Sequence, residues 1–105
     1  MDNKKTIYID IDETICFNNG PKDEARDYAK ATPNFENIAK ANKLYDEGHT
    51  VIYWTARGAL TKIDWTETTV LQLNKWGVKY HKVKLDKPHY DLVICDKVMN
   101  TEDWE

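Results

Sequence analysis

Short runs of β-branched and aromatic residues alternate with longer stretches whose apolar residues fall at helical spacing, and this alternation restricts the fold more than any other feature of the chain. KTIYIDI at 5–11 reads as a buried strand, TVIYWTARG at 50–58 as a second and VKYHKVKL at 78–85 as a third, less buried one; DLVIC at 91–95 reads as a fourth, continuously apolar strand. Between them, Phe35, Ile38, Ala41, Leu44 and Tyr45 mark a helix over 34–47 that Gly48 stops. Val70, Leu73 and Trp76 mark a helix over 62–76, with Asp64 and Glu67 as a capping box and Gly77 as its end. The stretch 18–33, with Gly20, Pro21 and Pro33, reads as a loop with a helical turn around 24–29. Strands alternating with helices imply βαβ units, and so an α/β domain with a mostly parallel sheet and helices packed on its faces. One domain over 1–105 suits this length.

A hydrophobic content of 41%, with 11% aromatic residues, is enough for a real core and excludes a disordered or coiled-coil chain. The net charge of −3 is spread along the length without a basic stripe, which argues against gripping a long nucleic-acid backbone. The start, MDNKK, is polar and lacks the apolar segment of a signal peptide, and no apolar run reaches membrane-spanning length. Two cysteines, Cys16 and Cys95, are too few for a disulfide scaffold and lack metal-finger spacing. A soluble protein of the reducing cytoplasm, with no membrane partner, is the expectation.

Within TIYIDIDETICF at 6–17, two carboxylates stand among isoleucines at the end of the first predicted strand. Carboxylates are seldom left in such surroundings without a partner or a task. In an open parallel sheet the ligand site lies beyond the carboxyl ends of the strands. The first strand ends at Asp10 and Asp12, the second at Thr55 and the fourth at Asp96, with Lys87 in the connection before the fourth. Three carboxylates, a hydroxyl and an ammonium suit a phosphate monoester and its metal, because the charge that protects the ester must be neutralised before a nucleophile can approach. Mg²⁺ takes hard oxygen ligands and usually only one or two protein carboxylates, here Asp10 and Asp96. An aspartate can attack phosphorus itself. Asp12, two residues on, could protonate the leaving alcohol and later deprotonate water. Thr55 and Lys87 would hold the phosphoryl oxygens, and Arg57 offers a second phosphate or sugar contact, with a surface salt bridge as its alternative.

Asp-Ile-Asp-Glu-Thr at 10–14, Thr55, Lys87 and Asp96, in this order and each at a predicted strand end, resemble the four motifs of the haloacid-dehalogenase-like (HAD) phosphohydrolases. The second half of the chain, from TARG to CDK, is similar to a subgroup of short bacterial members labelled capsule- or polysaccharide-biosynthesis phosphatases. The resemblance implies a three-layer α/β/α Rossmann-like fold. It implies a Mg²⁺-dependent phosphatase in which Asp10 is the nucleophile and a metal ligand, and Asp12 the acid/base with a backbone carbonyl on the metal. Thr55 and Lys87 then bind phosphate, and Asp96 is the last metal ligand. Where the subgroup carries two adjacent acids, this chain has Cys95-Asp96. About twenty residues between the first strand and the first helix are too few for a folded cap, so an open site is expected. Such a site accepts a bulky phosphate end or is closed by a second copy in a homo-oligomer.

A small phosphorylated sugar or related metabolite of surface-polysaccharide synthesis is the substrate class the resemblance suggests. A nucleotide or nucleic-acid phosphate end is the alternative within the enzyme class, and a non-catalytic binding module the alternative outside it. Cys16 and Cys95 fall near predicted strand ends that adjoin in the family's strand order, which raises the idea of a redox-sensitive pair. His49, His81 and His89 share no ligating spacing; Trp54 reads as core, Trp65 and Trp76 as one helix face, and Trp104 as folding the tail back.

Overall fold

The structure is a computed structural model that describes residues 3–18 and 27–105. Strands β1 (Thr6–Ile9), β4 (Thr50–Trp54) and β5 (Lys82–Lys84) form a parallel sheet in the order β1-β4-β5. Two shorter strands, β2 (Cys16–Phe17) and β3 (Thr32–Pro33), pair antiparallel beside it. Helix α1 (Phe35–Asp46) connects β3 to β4, and α2 (Thr66–Lys75) connects β4 to β5. Single 3₁₀ turns occupy Tyr28–Lys30 and Thr101–Asp103. No described helix is long and apolar enough to cross a membrane.

The ends of α1 are written in its sequence. Asn34 Oδ1 accepts from the Asn37 amide at 3.1 Å, satisfying one of the donors a helix start leaves over. At the other end Gly48 takes φ +98°, and its amide and that of His49 donate to the Tyr45 and Leu44 carbonyls. The expected capping box of α2 is replaced by a simpler turn: Asp64 Oδ1 accepts from the Thr66 amide at 2.9 Å, and Trp65, at the cap position, makes no side-chain bond.

Ile9, Val51 and Tyr53, alternate residues of the strands, meet Ile38 and Ala41 of α1, Leu73 of α2, and Trp76 and Val78 just beyond α2, in one core cluster. Ile11, Ile15 and Cys16 fill it from the turn after β1. The buried apolar side chains of both helices, Ile38, Ala41 and Leu73, enter this one cluster, and the third layer of the expected three-layer arrangement is not seen among the described residues. Trp76 lies in the core as expected, and Trp104 packs against it while its carbonyl accepts from Lys40 Nζ at 2.7 Å. Trp54 departs from the expectation of core: it stands edge-on to Tyr8 with ring centroids 5.5 Å apart, and its indole donates to Asp86.

The fourth strand expected over 91–95 does not form. Leu92, Val93 and Ile94 are exposed, Ile94 by 90%, and no described strand pairs with the far edge of β1. An apolar run supplies the side chains of a buried strand but not a neighbour to bond to. Here the stretch is fastened at both ends to other parts of the fold: the Lys87 amide donates to the Thr55 carbonyl, and Thr101 Oγ1 bonds Thr14 Oγ1 at 2.9 Å. The expected turn around 24–29 lies largely outside the described residues; its end is the Tyr28–Lys30 turn.

Tyr53 is fully buried, and its hydroxyl finds no hydrogen-bond partner among the described residues. Burial alone pushes its ionisation up. A buried hydroxyl without a partner costs about 1–3 kcal/mol. Tyr53→Phe is therefore expected to leave chemical-denaturation stability unchanged or raised, by about 1 kcal/mol; a loss of that size would show that the hydroxyl is bonded after all.

Candidate active site

Beyond the carboxyl ends of β1 and β4 lies an open cleft of about 390 Å³, lined among others by Asp10, Asp12, Thr55, Arg57 and Lys87. Five of the six residues that the sequence singles out therefore share one cavity. The sixth, Asp96, does not: it is exposed, it lies outside the cleft lining, and its nearest described partner is the thiol of Cys95. The missing fourth strand explains this, since that strand was what would have carried Asp96 to the sheet end.

The turn after β1 sets the first two acids. The Ile11 carbonyl accepts from the amides of Thr14 and Ile15 at 3.1 and 2.9 Å, and Glu13 takes a left-handed φ of 65° to close the turn. Asp10 Oδ1 accepts from the Ile11 amide at 2.9 Å and lies 3.6 Å from Lys87 Nζ. Low-polarity surroundings push the Asp10 carboxyl above the ordinary value of 3.8, against the pull of Lys87 and the Ile11 amide. Its side chain is still 42% exposed, so water in the cleft tempers that rise.

Thr55 arrives at the end of β4 and is buried. Its amide donates to the Lys84 carbonyl at 2.9 Å, and its carbonyl accepts from the Lys87 amide at 3.2 Å. These two bonds prolong the β4–β5 pairing past the strands and bring Lys87 beside Thr55. The Thr55 hydroxyl accepts from the Arg57 amide at 3.1 Å, which leaves its own hydrogen to donate. Lys87 Nζ stands 5.6 Å from the Trp54 ring centroid and 5.3 Å from that of Tyr90, so the ammonium is flanked by two aromatic faces next to Asp10.

Arg57 differs most from expectation. Neither a surface pair nor open to a ligand, its side chain is fully buried and bonds Asp12 in a fork: Nε to Oδ2 at 3.0 Å and Nη2 to Oδ1 at 2.9 Å. Nη1 is held by Thr69 Oγ1 at 3.0 Å and Gln72 Oε1 at 2.7 Å. For Asp12, burial is the strongest single influence and acts upward, but the bonds and charge of Arg57, joined by Asn18 and Cys16, outweigh it and hold the carboxyl below its ordinary range. Asp12 is thus an ionised group with both oxygens engaged.

Thr69 and Gln72 escape a reading based on apolar periodicity because they are polar residues on the buried side of an amphipathic helix. Their spacing of three, beside Leu73, is the one signal that could have marked them. The turn carrying Arg57 is closed by Gly58 at φ +82°, where an added Cβ would collide with the Ile63 carbonyl oxygen.

A metal in this cleft would find a limited set of protein donors. Asp10 presents a half-exposed carboxylate, the Asp12 carboxylate is taken by Arg57, and Asp96 is elsewhere. Among the described residues no group of three or more Asp, Glu, His or Cys is placed to hold an ion. Asp10, with Glu13 also on the cleft lining, fits a hard cation only as part of a set shared with phosphate oxygens and water, which is the usual manner of Mg²⁺.

The two cysteines are both free thiols and differ in burial. Cys16 is fully buried beneath Asp12, and burial, with the Asp12 charge beside it, pushes its thiol up to about 12. Cys95 is exposed. Titration of the native protein with a chromogenic disulfide is expected to count one fast thiol and to reach two only on unfolding. Two fast thiols would mean that the turn after β1 opens readily.

Among comparisons with known proteins, no family model and no curated sequence matches the chain. A crystal structure of a structural-genomics target from Vibrio cholerae superposes with a TM-score of 0.79 at 20% identity, over 96% of this chain and 86% of that one. At that identity the likeness shows the fold alone, a compact α/β architecture with a small, mostly parallel sheet and two helices, and the name of that structure carries no function.

Proposed function

We propose that the protein is a phosphomonoester hydrolase of HAD type in which Asp10 attacks phosphorus. The observation that carries this reading is the meeting of Asp10, Lys87, Thr55 and an Arg57-held Asp12 at the sheet end, in a cleft open to solvent. Lys87 and the Thr55 hydroxyl supply charge and a hydrogen bond for two phosphoryl oxygens. An Asp10 oxygen forms the new bond to phosphorus as the bond to the leaving oxygen breaks, and the leaving oxygen takes up a proton. Water then attacks phosphorus, its proton passes to Asp12, and the bond to Asp10 breaks to release phosphate. Arg57 keeps Asp12 ionised in the resting cleft, which suits the second step. For Asp12 to protonate the leaving oxygen in the first step, the pair with Arg57 must loosen and the carboxylate must first take up a proton from water in the cleft.

Asp10 and the Asp12 backbone carbonyl, together with phosphate oxygens and water, would hold Mg²⁺, which would supply further neutralisation of the phosphoryl charge. The substrate class we propose is a phosphorylated sugar or related metabolite of surface-polysaccharide synthesis in the cytoplasm. It rests on the likeness of the second half of the chain to the short bacterial members.

A second reading, a phosphate-binding module without turnover, is favoured by the position of Asp96, which stands apart from the cleft. Release of inorganic phosphate from sugar phosphates, nucleoside monophosphates and 3′-phosphorylated oligonucleotides, with and without Mg²⁺, separates the two. Metal-dependent turnover on any of them supports the hydrolase, and its ranking names the class. A well-folded protein that binds inorganic phosphate and turns over none of them supports the module.

A further inference from the structure

We propose that Gln72 is a positioning residue that fastens the Tyr28 wall of the cleft to the Arg57–Asp12 pair, so that the orientation of the acid and the position of the wall are set together. Only its kinetic consequence rests on the phosphatase reading above.

The Gln72 amide is used at both ends. Its Oε1 accepts from Arg57 Nη1 at 2.7 Å, while its Nε2 donates to the Tyr28 carbonyl at 2.7 Å. The amide serves both ends at once; an ionised glutamate lacks the donor and a leucine lacks both. The Tyr28 ring lies over the Arg57 guanidinium at 4.8 Å and meets the Trp65 ring edge-on at 5.2 Å, and Tyr28 lines the cleft. Arg57, Gln72 and Tyr28 therefore close a ring of contacts, and that ring opens toward Asp12 through the fork.

The geometry has a mechanical meaning. A guanidinium is planar, so fixing Nη1 fixes the plane in which Nε and Nη2 meet Asp12. Thr69 Oγ1 alone would leave that nitrogen a single anchor at 3.0 Å. The second anchor comes from a residue that also holds the wall, so a substrate's leaving group pressing on Tyr28 is felt at Asp12 through one side chain.

Two variants divide the relay. Gln72→Leu removes both bonds, whereas Gln72→Glu keeps the acceptor for Arg57 and places an oxygen against the Tyr28 carbonyl. On the best substrate of the phosphate panel, Gln72→Glu is expected to raise KM several-fold with kcat within about threefold of the parent, and Gln72→Leu to lower kcat roughly tenfold as well. Hydrogen exchange gives a readout apart from turnover: amides of 27–31 should exchange faster in both variants, and those of 11–18 only in Gln72→Leu. Equal kinetic effects in the two variants, or exchange at 27–31 that neither variant alters, would overturn the proposal. If the parent protein turns over no phosphate, the functional reading falls and the exchange pattern alone decides the relay. Should Gln72→Leu fail to fold, Gln72→Glu against the parent still decides it at 27–31.

Discussion

Exchange of Asp10 for asparagine is expected to abolish phosphate release, by roughly 10⁴-fold or more, while the protein stays folded. The substitution keeps the shape of the side chain and its acceptor for the Ile11 amide, and removes the charge that would attack phosphorus. The surroundings of Asp10 oppose its ionisation, so neutralising it removes an unfavourable charge as well as the 3.6 Å attraction to Lys87. The side chain is exposed enough for water to damp both effects. A melting temperature equal to or slightly above that of the parent, with phosphate release gone, is the expected pair of measurements. Residual turnover near the parent rate would remove Asp10 from the chemistry and return the proposal to a binding module.

The largest effect on stability is expected from Arg57→Met. This change leaves the Asp12 carboxylate, 16% exposed, without the partner that made its burial tolerable. Removing one member of a buried pair costs about 3–5 kcal/mol, and the partial exposure of Asp12 places this case at the lower end. Asp12→Asn added to Arg57→Met should recover most of the loss, because no charge is then stranded.

The pH dependence gives an independent check. The folded-state value of Asp12 lies below its ordinary one, so the stability it contributes is complete above the ordinary carboxyl range and is lost as the pH falls through the folded value. Stripped of Arg57, the same carboxyl is left with burial acting upward, and acid then relieves it. The gap in unfolding free energy between parent and Arg57→Met should therefore be widest near neutrality and narrow below about pH 4. A gap independent of pH would mean that Arg57 acts through packing rather than through Asp12.

Both results concern residues 45 positions apart in sequence, and that separation bears on what the chain discloses to a reader. Local features were legible: the isoleucine-rich run of β1, the Gly48 stop of α1, and the apolar face of α2 all act within a few residues. The cleft was legible as far as strand ends define it, since Asp10, Asp12, Thr55 and Lys87 need only a parallel sheet to meet. Arg57 was legible as a cation suited to a fork but not as the partner of Asp12, because the pairing depends on how the Gly58 turn folds back and on polar groups inside α2. The segment 91–95 misled for the converse reason. Its composition is that of a strand, whereas strand formation also needs an available edge in register, and no local pattern reports one.

The edges of the sheet have a consequence for the protein in solution. At one side β5 carries Lys82 and Lys84, charges that repel a second strand laid alongside. At the other, β1 reads Thr-Ile-Tyr-Ile, with no charge in it, and Leu92, Val93 and Ile94 lie exposed elsewhere on the same molecule. Crowding, or salts that strengthen apolar burial, therefore acts on a sheet with a lysine-bearing edge at β5 and, among the described residues, an unpaired and uncharged edge at β1. Strand-to-strand association through β1 would join two copies edge to edge and stop there, with the lysine flank of each facing water.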